Sequence, residues 1–291
     1  MPDQLVRAIA HDGTVLGFAA VTTETVEEAR RRHRTAPTAT AALGRTLAAT
    51  AMLGAALKDG QRLTVRVLGD GPLGGILSDG NARGEVRGYV ANPHVDLPLT
   101  ARKKLDVGRA VGRGTLHVTR DLGMRYPYHG SVPLVSGEIG EDVAHFLLVS
   151  DQVPSVVALG VLVAPDGRVL AAGGYILQVL PGADPAVTRY LEERVAALPP
   201  VTQLVHRGRS AEEILRLALG DLGGRVLEEK AVAFRCGCSR ERVEAVLVAL
   251  GREELQRLVA EEGRAEVTCR FCGERYVLEP DEVEDLFSRP A

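Results

Sequence analysis

Cys236-Gly237-Cys238 and Cys269-Arg270-Phe271-Cys272 contain the chain's four cysteines. Two close pairs with nothing left over predict one site that draws all four thiols together. Two chemistries satisfy that pattern. Four thiolates can hold one Zn²⁺ tetrahedrally, with metal–sulfur bonds of about 2.3 Å. Alternatively the thiols can close disulfides, which a reducing compartment ordinarily removes. The flanking sequence predicts how the pairs are presented. Ser239 suits the cap of a helix running through Val243, Val246, Leu247 and Leu250, and Glu253 to Glu261 reads as a second helix. Glu266-Val267-Thr268 and Tyr276-Val277-Leu278 read as the arms of a zinc-knuckle-like hairpin, and Asp281 to Phe287 as a last helix.

Phe271, Tyr276, Leu278 and Leu286 offer only a thin apolar centre for this region. A structural zinc supplies roughly 10–16 kcal/mol of apparent binding energy, comparable to or larger than the whole stability of a small domain. The metal is therefore expected to hold the region folded, and its removal to unfold it. Four thiolates leave no open coordination position, which argues against hydrolytic zinc catalysis. Cys269 lies near a hairpin rather than in a βαβ unit, which argues against a thioredoxin-type oxidoreductase. Clustered thiolates are nevertheless oxidisable, and oxidation ejects a thiolate-bound metal. The residues alone leave a purely structural zinc and a redox-driven order–disorder switch both open.

Working outward, charge narrows the partners. The net charge is −3, with 19 basic and 17 acidic side chains over residues 1–182 but 9 basic and 13 acidic over residues 231–291. A zinc module that grips phosphates needs the opposite sign, so a zinc-ribbon-like nucleic-acid-binding protein is the weaker alternative. No run approaches the roughly 20 apolar residues that span a bilayer. Met1-Pro2-Asp3-Gln4 lacks the basic start and apolar core of a signal peptide. The expectation is a cytoplasmic protein, where a double cysteine pair more often holds metal.

The first 182 residues read as strands around one long helix. Leu5 to Ala10 and Thr14 to Val21 flank His11-Asp12-Gly13, a hairpin signal, and Thr25-Val26-Glu27-Glu28 has capping-box spacing for a short helix ending in Arg30-Arg31-Arg32-His33-Arg34. That charge run reads as a solvated helix end rather than a docking patch. Thr38 to Lys58, apolar almost all round, predicts a buried helix. Gly69-Asp70-Gly71-Pro72-Leu73-Gly74 matches G-x-G-x-x-G after a strand, but a further strand follows where a phosphate-binding fold needs a helix, so these read as turn glycines. Gly84 to Val90, Gly114 to Arg120, Ser155 to Val163 and Val169 to Leu180 read as strands, and Glu141 to Asp151 as a helix. His94, His117 and His129 have no metal-site spacing, and no nucleophile elbow or H-E-x-x-H occurs, so no enzyme activity is predicted. From Asp184 the chain turns helical, with Pro199-Pro200 as a break and a capping box at Ser210-Ala211-Glu212-Glu213; too short for its own core, this segment must lean on a neighbour.

Phe234-Arg235-Cys236-Gly237-Cys238-Ser239-Arg240-Glu241-Arg242 and Val267-Thr268-Cys269-Arg270-Phe271-Cys272 resemble the 33-kilodalton heat-shock protein family, redox-regulated holdase chaperones of the cytosol. Leu43-Gly44-Arg45, Gly84 to Tyr89, Ser150 to Ser155 and Gly173 to Gly182 extend the resemblance over essentially the whole chain. Asp151 and Gly273 depart from the family's usual Glu and small polar residue. The resemblance implies an α+β fold: an N-terminal chaperone core domain over residues 1–182, a β-sheet packed by a long helix; a helical metastable linker over 183–231; and a C-terminal zinc-binding redox-switch domain over 232–291. It implies one Zn²⁺ on Cys236, Cys238, Cys269 and Cys272 in an inactive reduced form. Oxidation would close Cys236–Cys238 and Cys269–Cys272 disulfides, release zinc, unfold the linker and C-terminal domain, and expose surface for unfolding client proteins without ATP. Dimerisation on activation and client transfer to ATP-dependent chaperones complete what the resemblance implies.

Overall fold

The computed structural model describes residues 2–287 and divides into two compact units between Arg235 and Cys236. In chain order the first contains β1 (Gln4–Ile9), β2 (Val15–Val21), α1 (Thr23–His33), α2 (Pro37–Gly54), β3 (Arg62–Gly69), β4 (Ile76–Asn81), β5 (Glu85–Val90) and α3 (Val107–Val111). It continues with β6 (Gly114–Asp121), β7 (Tyr128–Pro133), α4 (Gly140–Val149), β8 (Ser155–Val163), β9 (Val169–Val179), α5 (Pro185–Ala197), α6 (Val201–His206), α7 (Ala211–Leu219), β10 (Arg225–Ala231) and β11 (Ala233–Phe234). The fold class is α+β, as expected. Where a single sheet was anticipated there are two: a five-stranded sheet in the order β10-β1-β2-β9-β8 and a six-stranded one in the order β11-β5-β4-β3-β6-β7. Every pairing is antiparallel except β11 on β5.

Helix α2 lies between the sheets, touching β2, β8 and β9 of one and β3, β4 and β5 of the other. Its composition explains that position. Pro37 opens it at a position where the missing N–H costs nothing. The hydroxyls of Thr46 and Thr50 donate back to the carbonyls of Ala42 and Thr46, so a fully buried helix carries these threonines without unpaired hydroxyls. Gly44 sits where Val26 and Val161 close in: a Cβ there would stand 2.6 and 2.8 Å from their methyls. The helix ends at Gly54, earlier than the composition suggests.

Two cores follow from this layering. One fills the space between the sheets around Leu43, Leu47, Met52, Phe146 and Ile176; the other lies on the outer face of the five-stranded sheet, where Leu191, Leu204, Ile214 and Leu215 of α5, α6 and α7 cover Val6, Val15 and Leu177. The apolar stripe of α7 is thus buried, and Ser210 and Glu213 form the anticipated capping box. Arg225–Ala231, which reads as a charged stretch, is a strand paired along β1, with Lys230 Nζ donating to the Ala82 carbonyl at 2.6 Å.

The capping box expected at Thr25 is absent. Helix α1 starts two residues earlier, and the buried Asp3 carboxylate accepts from the Glu24 and Thr25 amides instead, a partner too distant in sequence for a local motif to reveal. The arginine run is a helix end: Arg30 pairs with Glu27, and Arg31 and Arg32 with Glu28. The G-x-G-x-x-G segment is a turn. Its Asp70, Gly71 and Leu73 amides donate to the carbonyls of Arg113, Val111 and Ala110 rather than facing a phosphate. Gly69 passes so close to Val111 that a Cβ would meet its carbonyl oxygen at 1.9 Å.

Candidate metal centre

The second unit builds its site from two arms. The first is the Cys236–Cys238 segment leading into α8 (Arg240–Leu250); Ser239 caps this helix, its hydroxyl accepting from the Arg242 amide, while Arg242 Nη1 donates back to the Gly237 carbonyl at 2.5 Å. Helix α9 (Arg252–Glu262) then carries the chain to the second arm. This is the hairpin of β12 (Ala265–Thr268) and β13 (Arg275–Leu278), with Thr268 opposite Arg275. Between them the chain folds into a knuckle: the Cys269 amide donates to the Glu274 carbonyl and the Gly273 amide to the Cys269 carbonyl, both at 2.8 Å. Gly273 takes φ +73°, a conformation that glycine adopts without strain. Helix α10 (Pro280–Leu286) closes the unit.

The arms bring the four sulfurs within 4.8 Å of one another. Two of the approaches run between arms: Cys236 to Cys269 at 3.7 Å and Cys238 to Cys272 at 3.4 Å. A tetrahedron of sulfurs at 2.3 Å from a shared cation has edges of about 3.8 Å, so the set matches a four-thiolate metal site. All four cysteines are free. The surroundings favour thiolates once a cation is present. Amides of Phe271 and Cys272 bond to the Cys269 sulfur and the Glu274 amide to Cys272, while the Tyr276 hydroxyl donates to Cys238 Sγ at 3.2 Å. Arg240 fastens the arms away from the sulfurs, donating to the Val277 carbonyl at 3.3 Å and pairing with Glu282 at 2.6 Å. Neither Tyr276 nor Arg240 stands out as a site residue in the sequence, because each acts across the arms.

Without a cation the balance reverses. Burial, foremost, pushes the Cys269 and Cys272 thiols above their ordinary range, and the bond to Cys238 does the same to Tyr276. Both thiols are then protonated through neutral pH, and a metal must displace those protons. The apparent affinity for Zn²⁺ is expected to rise with pH between 6 and 8 by at least about two decades per unit, one for each displaced proton. Competition titrations with a chromophoric chelator check this; an affinity flat over that interval would show thiolates already formed.

The core of the unit is small: Val243, Leu247, Leu255, Ala265, Leu278, Val283 and Leu286. Phe271, expected in it, is only half-buried and lies outside that cluster. Val246 and Leu250, expected on the helix's apolar face, are exposed. Among the described residues, no other group of histidines, cysteines and carboxylates gathers to hold a metal. His117 and His129 instead bond to the hydroxyls of Thr115 and Thr119. No described helix is long and apolar enough to cross a membrane.

Comparison with known proteins agrees with this geometry. The family described as Hsp33 protein matches residues 3–279. The 33 kDa chaperonin of Geobacillus kaustophilus is 52% identical over 287 residues, covering 98% of each chain. That of Desulforamulus reducens is 50% identical over 289 residues, covering 99% of this chain and 98% of its own. The crystal structure of the 33 kDa chaperonin from Thermotoga maritima superposes with a TM-score of 0.92 at 36% identity, over 99% of this chain and 98% of that one.

Proposed function

The chain belongs to the Hsp33 family of chaperones, and from that premise we propose that it is a cytoplasmic, ATP-independent holdase switched on by oxidation. The single observation that carries the reading is the cross-arm pairing of sulfurs. Cys236 and Cys238 on one arm and Cys269 and Cys272 on the other would hold a Zn²⁺, which would then cross-link the arms. Oxidation within each arm would close Cys236–Cys238 and Cys269–Cys272: each pair of thiolates gives two electrons to one hydrogen peroxide, which takes two protons from solvent and leaves as two waters. The products are two local loops with no bond between arms and no thiolate left to hold a cation. A cluster of seven buried apolar residues, with four half-buried ones against it, would then have to keep the unit folded. Residues 183–231, the proposed metastable linker, would follow, uncovering the outer core around Val6, Val15 and Leu177 for unfolding clients. Dimerisation of the activated chain and transfer of clients to ATP-dependent chaperones belong to the same reading. The acidic excess around the cysteines disfavours a nucleic-acid partner.

The test is a light-scattering assay with a denatured reporter enzyme diluted into buffer. Chain treated with peroxide at raised temperature is expected to suppress aggregation near equimolar ratio, while reduced, zinc-loaded chain leaves it unchanged. Equal activity of the two forms would sink the switch.

A further inference from the structure

Natural sheets blunt their edges with charge, proline, brevity or a cover. Three of the four edges of the two large sheets obey. Strand β10 carries Arg225, Glu228, Glu229 and Lys230; β11 is two residues long; β7 is bracketed by Pro127 and Pro133. Strand β8 does not. It runs Ser-Val-Val-Ala-Leu-Gly-Val-Leu-Val, nine residues without a charge or a proline, and Ser155 to Leu159 are all half-exposed.

The ladder fixes which of its groups are free. The Val179 amide donates to the Pro154 carbonyl, so with Val156 opposite Leu177 and Ala158 opposite Tyr175 the even-numbered residues face β9. The backbone amides and carbonyls of Ser155, Val157, Leu159 and Val161 therefore point away from the sheet. None of them has a hydrogen-bond partner among the described residues. The side chains add a second condition. Val157, Leu159 and Val163 pack against the core between the sheets, whereas Val156, Ala158 and Leu162 pack against the outer core under α5 and α6. A strand added at this edge extends both cores, and so needs apolar residues on both of its faces.

We propose that the β8 edge binds an extended, continuously apolar segment of an unfolded polypeptide by strand addition. The proposal rests on the holdase reading and assigns it a client surface. The occupant follows from the two conditions: a free row of backbone groups recognises any extended chain, and flanking cores on both sides select a run of consecutive apolar residues. Such runs belong to buried strands and become available only when a protein unfolds. Gly140, which opens α4, helps keep the edge accessible: a Cβ there would stand 3.9 Å from the Leu159 nitrogen.

The experiment measures fluorescence anisotropy of a labelled peptide of alternating Val and Leu, flanked by Lys, with oxidised full-length chain. The expected result is binding that weakens about tenfold, the scale of one or two backbone hydrogen bonds, for Val157→Pro. That substitution removes an outward N–H and leaves the ladder intact. Gly140→Val, which crowds the edge at Leu159 from α4, should weaken binding similarly, as should methylation of alternate peptide amides. Hydrogen exchange at Val157, Leu159 and Val161 should slow on binding. Zinc content and oxidant-triggered zinc release report that each variant is folded and switchable. If both variants bind as the unsubstituted chain does while it still suppresses aggregation, the edge proposal falls and the holdase reading stands. If oxidised chain neither binds peptide nor suppresses aggregation, the holdase reading itself has failed. If the variants lose self-association and keep peptide binding, the edge is a self-pairing surface and the client assignment is overturned.

Discussion

Chelating the metal from the reduced chain is expected to unfold residues 236–287 while the core of the first unit around α2 and β9 stays folded. The second unit buries seven apolar side chains, of which only Leu247, Leu255, Leu278 and Leu286 are larger than valine. Whole small domains are stable by roughly 5–15 kcal/mol, and a structural zinc contributes roughly 10–16 kcal/mol of apparent binding energy at neutral pH. Removing a term of that size leaves too little to hold the arms. Among the interactions that remain across them, the pair of Arg240 with Glu282 is half-exposed and worth about 1 kcal/mol or less, and the bonds of Arg240 to Val277 and of Tyr276 to Cys238 are single hydrogen bonds of about 1 kcal/mol. Far-UV circular dichroism should lose the contribution of α8, α9 and α10, and amides of β12 and β13 should exchange freely. Amides of α2 and β9, buried in the first unit, should keep their protection. Persistent protection of α8 and β12 after complete chelation would show that the apolar cluster suffices, and the order–disorder reading would lose its physical basis.

That expectation also separates metal loss from oxidation. Chelation frees four thiols that can rebind a cation, so refolding should follow zinc addition within the time of mixing and binding. Oxidation stores the open state in two covalent bonds, and refolding must wait for a reductant. One unit thus responds to two signals that differ in persistence. The sulfur connectivity explains why: the cation links the arms, whereas disulfides within each arm do not.

Legibility in the sequence divided along the same line between local and distant. The cysteine pairs, the Ser239 cap, the Ser210–Glu213 capping box and the His11-Asp12-Gly13 hairpin act over a few residues, and each takes the structure its spacing predicts. Helix α2 was readable because a helix apolar on all sides has to be buried. The second sheet was not: short strands between turns give no sign of which sheet they join, and only the middle position of α2 separates the two. Strand β10 was hidden because Glu228, Glu229 and Lys230 break any apolar alternation, although an edge strand tolerates such charge. Asp3, Arg240 and Tyr276 were missed for one reason. Each meets its partner across at least twenty residues of chain, where no spacing rule reaches.

The same reasoning points to Asp142, whose replacement by alanine should be the most damaging single change in the first unit. Its side chain is fully buried, and its carboxylate accepts from four amides: Val135 at 2.7 Å, Ser136 at 3.0 Å, Gly137 at 3.2 Å and Ile139 at 2.9 Å. These bonds fold the loop before α4 into a cup and hold Ile139 at φ +68°, a conformation costly for a branched side chain. Glu138, in the same loop, pairs with Arg45 of α2 and accepts from the Gly108 amide, so the cup ties α4 to the central helix. Alanine leaves the amide donors unpaired in an apolar setting and releases the strain at Ile139. At about 1–3 kcal/mol for each buried donor that fails to find water, a net loss of about 4 kcal/mol is expected. In a unit of this size that lowers the melting temperature by about 8–16 °C. Asparagine separates the contributions. It keeps one oxygen for Val135, Ser136 and Gly137 but sets an NH₂ against the Ile139 amide, so it should fall between alanine and the unsubstituted chain. Urea titration of zinc-loaded protein, followed through hydrogen exchange in α2 and β9, measures each loss in the first unit alone. A loss under about 1 kcal/mol for alanine would mean that water replaces the carboxylate and that the cup does not govern the placement of α4.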